Sequence, residues 1–195
     1  MKKLAVFDFD GTLTQRDSFF VFLKKTFSIS KIIGAAVFLS PVMLFYKLKL
    51  LNNDSAKQKV LRYFLKGVDE KIIQEKCNWF SKEIIPQLIS PGARKILEEY
   101  AQLNFEIVIL SASPEIYLKQ WCELNNFKCI STKLKTLNGK FTGEYDGKNC
   151  RGAEKLIRLQ NEIQLKNYEE IHAFGNSEDD KIFMAVAHQQ FFGEL

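Results

Sequence analysis

The stretch FDFDGTLT, residues 7–14, follows an apolar run that begins at Leu4 and breaks it with two carboxylates one residue apart. LAVF (4–7) has the length and unbroken hydrophobicity of a strand buried on both faces. Residues two apart at the end of a strand project to the same side, so Asp8 and Asp10 are expected together at the carboxyl edge of the sheet this strand joins. Open parallel sheets bind ligands at that edge. Two carboxylates so close repel: either a cation or a set of donors keeps both ionised, or one keeps a proton and becomes an acid beside a nucleophile. A solvated acidic turn has the same local pattern, so the rest of the chain decides between them.

Outward from this stretch, three more short apolar runs read as strands: EIVIL (106–110), FKCI (127–130) and IHAF (171–174). Helical stretches with start signals separate them: Ser90 and Pro91 before ARKILEEYAQ, Ser113 and Pro114 before EIYLKQWCEL, and Gly152 before AEKLIRLQNEI. Strands alternating with helices predict an α/β fold with a doubly wound, Rossmann-like parallel sheet. TKLKTLNGKFTGEY (132–145) interrupts the alternation, and Asn138-Gly139 supplies the positive φ angles of a tight β-hairpin, expected to project from the sheet. Between the first strand and the next α/β unit lies a long stretch with helical spacing and few strand signals. The expected division is a core of residues 1–15 and 88–195 with an inserted α-helical cap, 16–87.

The chain has 195 residues, enough for one core plus an insertion. Its net charge of +5 is unevenly placed: from Phe19 to Lys66 nine cations face Asp54 alone, leaving the remainder of the chain slightly acidic. A basic segment favours phosphates, lipid headgroups or nucleic acid, but no RNA-binding or helix-turn-helix pattern accompanies this one, so a nucleic-acid partner is not expected. Inside it, IIGAAVFLSPVMLFY (32–46) carries no charge, falls short of the roughly 20 residues that span a bilayer, and contains Pro41. Burial against the cap or a second subunit is the preferred reading of this run, with contact at a membrane surface the alternative. Four cysteines, without any CxxC pair, fit reduced thiols in a cytoplasmic protein, and the carboxylates at 8 and 10 interrupt what would otherwise be a signal-peptide core.

DFDGTLT resembles the first motif of the haloacid dehalogenase phosphatase superfamily. IVILSAS (107–113), CRGAEK (150–155) and FGNSEDD (174–180) resemble the second, third and fourth motifs in the family's order. The resemblance implies a magnesium-dependent phosphatase, a hydrolase of phosphoric monoesters. Asp8 would be the nucleophile forming an aspartyl-phosphate, and Asp10 the acid and then the base. Lys155 would neutralise the phosphate and the nucleophile. Thr12, Ser111 and Ala112, with backbone N–H groups around Phe9 and Gly11, would bind the phosphoryl oxygens. Asp8, the carbonyl of Asp10, Asn176 and Asp180 would hold Mg2+. Where the family commonly carries an aspartate this chain has Asn176, which implies lower metal affinity or, as an alternative, a phosphate- or partner-binding protein without turnover. Asp179 could replace Asp180 if the loop shifts, and Glu178 is expected to face solvent.

A helical cap in this position is similar to that of the phosphoserine-phosphatase-like branch, which implies that the cap selects the leaving group. On that resemblance Asp17 would meet a substrate ammonium and Arg62 a carboxylate, although Asp17 also suits a helix cap and Arg62 a solvated face. The long, basic, apolar-rich cap is similar as well to that of bacterial phosphatidylglycerophosphatases. The expected substrate is therefore a phosphorylated small metabolite or a lipid phosphate, the latter placing the protein peripherally at the inner face of a membrane. Oligomeric state is not readable.

Overall fold

A computed structural model describes residues 2–193 and 195. In chain order, β1 (Lys2–Phe7) leads into helices α1 (Ser18–Thr26), α2 (Ile29–Phe38), α3 (Ser40–Lys47), α4 (Asn53–Leu65) and α5 (Glu70–Trp79), a π-helical turn at Phe80–Ile84, and α6 (Ile85–Leu88). Then come α7 (Pro91–Gln102), β2 (Phe105–Pro114), α8 (Glu115–Leu124), β3 (Lys128–Thr132), the pair β4 (Leu134–Leu137) and β5 (Lys140–Tyr145), and α9 (Ala153–Glu162). A short 3₁₀ turn precedes β6 (Tyr168–Gly175), α10 (Lys181–Met184) and β7 (Gln189–Phe192).

The sheet order is β3-β2-β1-β6-β7, with every neighbouring pair parallel. This is the doubly wound α/β sheet that the strand runs predicted. The chain builds outward from β1 through β2 to β3 and then returns to the other side of β1 with β6, so the order reverses between β1 and β6. A crevice opens at the carboxyl ends of the strands at such a reversal. Asp8 follows β1 and the Asn176–Asp180 loop follows β6, which puts both at its rim.

Both faces of β1 are covered, which accounts for its unbroken hydrophobicity. Leu4 and Val6 point into one cluster with Val108, Leu110, Leu159, Phe183 and Met184. Ala5 and Phe7 point into a larger one that runs through Ile107, Ile109 and Tyr117 to Phe22, Leu61 and Phe80 of the helical segment. Phe7 stacks on Phe174 of β6 with ring centroids 4.3 Å apart. The helical segment leaves and rejoins the sheet at one point: Gln15 N–H donates to the Leu88 carbonyl (3.2 Å), and Ser90 N–H to that of Leu13 (2.9 Å).

Several local expectations needed correction. Ser90 caps α7, accepting from Ala93 N–H at 2.9 Å, but Ser113 does not cap α8; the cap position is Pro114, and the Ser113 hydroxyl is used elsewhere. The hairpin does turn at Asn138 and Gly139, with φ +50° and +73°. It leaves the five-stranded sheet as expected, as a separate pair, and Gly67 N–H donates to the Phe141 carbonyl (2.8 Å) and Glu70 N–H to that of Gly139 (2.9 Å), holding it against the helical segment. Strand β7 was not anticipated, since QQFF carries no apolar run and all four residues are exposed. Within the chain, the uncharged run 32–46 is largely not buried against the helical segment. Only Ala35 and Leu39 in it are buried, whereas Val37 and Phe38 are about 70% exposed (72% and 71%).

Candidate active site

At the end of β1, the backbone turns sharply. Phe9 carbonyl accepts from the N–H groups of Leu13 (2.9 Å) and Thr14 (3.1 Å), and Gly11 N–H donates to the Thr14 carbonyl (3.1 Å). Gly11 has φ +84°, and a Cβ built there would lie 2.3 Å from Asn176 Nδ2. Only glycine allows the first-strand turn and the loop after β6 to meet this closely.

The meeting creates a chain of charge. Lys155, in the first turn of α9, reaches across with Nζ 2.5 Å from Asp8 Oδ1 and 2.6 Å from Asp180 Oδ1. All three side chains are buried. The other oxygen of Asp8 accepts from the Thr12 hydroxyl at 2.8 Å. Asp180 Oδ2 accepts from the N–H and hydroxyl of Ser177 (3.0 and 2.6 Å) and from Asn176 N–H (3.3 Å). Burial pushes the Asp8 carboxyl up against the pull of Lys155. Burial acts the same way on Asp180, but Lys155 and Ser177 outweigh it and hold that carboxyl below its ordinary value. For Lys155, burial is outweighed by the two carboxylates, which keep it protonated.

Asp10 sits in a separate network. Its Oδ1 accepts from Ser18 N–H at the start of α1 (2.7 Å), and its Oδ2 accepts from the Ser113 hydroxyl. Ser18 Oγ lies 3.1 Å from both Ser113 Oγ and the Tyr117 hydroxyl. Burial first, and then Asp17, raise the Asp10 carboxyl, with Ser113 and Ser18 opposing them. Two carboxylates adjacent in sequence thus differ in company: Asp8 lies on an ammonium, and Asp10 among neutral donors.

Both open onto a cavity of about 460 Å³ between the sheet edge and the helical segment. Of the residues singled out in the sequence, Asp8, Asp10, Asp17, Ser111, Ala112, Lys155, Asn176, Asp179 and Asp180 line it. Ser111 is buried at the end of β2, where its Oγ accepts from Ser113 N–H (2.9 Å) and its own proton has no acceptor among the described residues. Asp17 caps α1, accepting from Phe20 N–H at 3.0 Å, and faces the cavity as well. Of the two acids left open in the fourth motif, Asp180 is the one in contact with Lys155. Asp179 instead pairs with Arg151 (2.6 Å), and Glu178 faces solvent with Lys181 (2.6 Å).

Three expected contacts with substrate are placed elsewhere. Thr12 spends its hydroxyl on Asp8 and Gly11 N–H is taken up by the turn, whereas the Phe9 ring packs in the core against Trp121 and its backbone N–H donates to none of the described residues. Arg62 lies outside the cavity, bound to Glu144 of the hairpin. Lys57 of α4 takes the interior position instead. Its Nζ donates to the Ala112 carbonyl at 2.8 Å, and burial pulls its pKa down. Arg151 also lines the cavity. Sequence reading missed Lys57, Arg151, Ser18, Ser113 and Ser177. Arg151, Ser113 and Ser177 carried a signal, their places inside CRGAEK, IVILSAS and FGNSEDD.

A divalent cation would find the carboxylates of Asp8 and Asp180, the Asn176 amide and the Asp10 carbonyl, which accepts no hydrogen bond from the described residues. All are hard oxygen donors, the kind magnesium prefers. No group of three acidic, histidine or cysteine side chains is placed to hold a metal ion by itself among the described residues. The donor set therefore suits a hard cation, with an amide where a third carboxylate would add charge.

The family model for haloacid dehalogenase-like hydrolase matches residues 5–184, from β1 through α10. The chain belongs to that family. Among the chain's relatives, Protein CicA of Caulobacter vibrioides is 31% identical over 189 residues, covering 96% of this chain and 84% of that protein. The histidinol-phosphatase of Neisseria meningitidis serogroup C is 26% identical over 191 residues, covering 92% and 85%. In three dimensions the chain is similar to a substrate-bound phosphoserine phosphatase complex, with a TM-score of 0.68 at 16% identity, covering 98% of this chain and 86% of that one. The last likeness is one of fold, and it includes the helical segment.

Proposed function

We propose that this protein is a magnesium-dependent phosphomonoester hydrolase working through a phosphoryl-Asp8 intermediate, with residues 16–87 as a cap over the core formed by 1–15 and 88–195. The observation that carries the reading is the separation of the two carboxylates into unlike networks, Asp8 on Lys155 and Asp10 on Ser18 and Ser113. In the first step a carboxylate oxygen of Asp8 bonds to phosphorus as the bond to the leaving oxygen breaks, and that oxygen takes the Asp10 proton. In the second, Asp10 removes a proton from water, the water oxygen bonds to phosphorus, and the bond to Asp8 breaks to release phosphate. Lys155, buried and protonated, offsets charge on the nucleophile and the phosphoryl group, while Ser111 Oγ–H donates to a phosphoryl oxygen. Magnesium bound by Asp8, the Asp10 carbonyl, Asn176 and Asp180 would supply further positive charge.

The histidinol-phosphatase relative supports a phosphorylated small molecule as substrate. The part of the cavity away from the phosphate combines Asp17, Lys57 and Arg151 with Phe20, Met43 and Tyr46. It suits a leaving group with both a polar and an apolar portion, which keeps a lipid phosphate within the same substrate class. The free cysteines, three of them buried, agree with a cytoplasmic setting.

Hydrolysis of p-nitrophenyl phosphate, measured with magnesium and with a chelator, tests the proposal. Turnover should depend on the metal, and acid-quenched protein should retain covalent phosphate. Asp8→Asn should lose both, with turnover falling on the order of 10³-fold or more. Turnover that survives in Asp8→Asn would exclude this mechanism, and phosphate binding without turnover in the native chain would make it a binding protein.

A further inference from the structure

The helices α2 and α3 form a bent pair, 52° at the break between Phe38 and Ser40. One side of it packs inward through Ile32, Ala35, Leu39 and Val42. A surface helix normally turns polar residues outward, yet here the outward side carries Ile33, Val37, Phe38, Leu44, Phe45 and Leu50, all at least half exposed. Contiguous apolar surface of this kind marks an interaction site. Its charged surroundings are of one sign. From Ser18 to Asn53 there are five lysines and no acidic residue. Lys24 and Lys25 lie in the last turn of α1 just before the pair, Lys47 ends α3, and Lys49 follows it. The face is also continuous with the cavity, because Met43 and Tyr46 of α3 form part of its wall.

We propose that this face docks on an anionic lipid surface, with the apolar side chains among the acyl chains and the lysines at the headgroups, so that the cavity mouth faces the bilayer. Charge decides the occupant. Lys31 turns inward to the Phe64 carbonyl, and a second copy of the chain would bring its own Lys24, Lys25, Lys47 and Lys49 against these four, whereas acidic headgroups complement them. Length decides the depth. The 10 residues of α2 and 8 of α3 extend about 15 and 12 Å and bend away from each other, so the pair lies on the surface with its inner side still packed on the protein. Docking itself stands on these observations alone; delivery of a lipid phosphate ester from the surface to Asp8 rests on the proposed phosphatase reading.

The whole chain is sedimented with vesicles of phosphatidylcholine alone and of phosphatidylcholine with phosphatidylglycerol. It should pellet with the anionic vesicles and be released by salt. Lys47→Glu with Lys49→Glu should weaken binding about tenfold or more. Ile33→Ser with Val37→Ser and Leu44→Ser should abolish it, while leaving thermal unfolding and p-nitrophenyl phosphate turnover as in the native chain. Failure to pellet, or pelleting that ignores both sets of substitutions, overturns the proposal. So does a native dimer in analytical ultracentrifugation that the serine variant converts to a monomer, since that would make the face an interface between copies. Vesicle binding without any phosphatase activity would uphold the docking face and refute the catalytic reading.

Discussion

The Ser113 hydroxyl donates to Asp10 and stabilises its carboxylate, while Asp17 faces the same group and disfavours it. Removing either neighbour should therefore move the titration of the acid in opposite directions. In the proposed mechanism the first step requires protonated Asp10, so the alkaline limb of kcat/KM should follow its pKa. Ser113→Ala takes away a donor to the charged form and should shift that limb to higher pH. Asp17→Asn takes away a neighbouring negative charge and should shift it to lower pH. A pH–rate profile for the two variants checks the pair, and movement of both in the same direction would show that the limb belongs to another group. The carboxylates at 8 and 10 and Lys155 were legible as chemistry because an apolar strand has no other reason to end in DFD and because three further motifs follow in order. Ser113 was legible as a helix cap and as the last residue of IVILSAS. Nothing local reveals that its hydroxyl turns toward an acid 103 residues earlier in the chain.

Among the elements, the turn after β1 carries the tightest constraint. With φ at +84° and the Asn176 amide against its α-carbon, Gly11 accepts no side chain without backbone strain and displacement of the Asn176 side chain. Gly11→Ala should cost about 1–3 kcal/mol of stability, measurable by denaturant unfolding, and should reduce turnover through misplacement of Asn176. Loss of activity with full stability would instead point to a direct contact between residue 11 and substrate. The strands at the centre of the sheet could be read from the sequence because parallel strands covered on both faces must be apolar at every position. At β7 that rule lapses, because all four of its residues are exposed, and QQFF gave no signal. The α2–α3 pair shows the converse. Hydrophobicity located the helices, but only packing determines that Ala35 and Leu39 turn inward while Val37 and Phe38 face out.

Over the whole molecule, one apolar cluster runs without a break from the sheet into the helical segment. Tyr117 of α8 packs against Phe22 of α1 and Phe80 of the π-helical turn, with centroids 4.9 and 5.1 Å apart. A shared core of this kind should make both parts unfold together. Trp79 lies at the end of α5 and Trp121 on α8, so each part has a fluorescent reporter. Unfolding curves from single-tryptophan variants should coincide, and Phe22→Ala should lower both equally, by about 3–5 kcal/mol. Two separated transitions would mean that the helical segment folds as an independent unit. By itself the sequence determined the four apolar strands of the sheet and their α/β class, and it marked residues 8, 10, 111, 155 and 176–180 as candidates, because strand hydrophobicity, turn glycines and motif order act over a few residues. Only the tertiary structure decided which charges share a cavity: that Lys57 enters it while Arg62 turns to Glu144, that Asp180 rather than Asp179 meets Lys155, and that the apolar side of α2 and α3 is left uncovered. Such choices depend on distances between segments far apart in the chain, which no local pattern encodes.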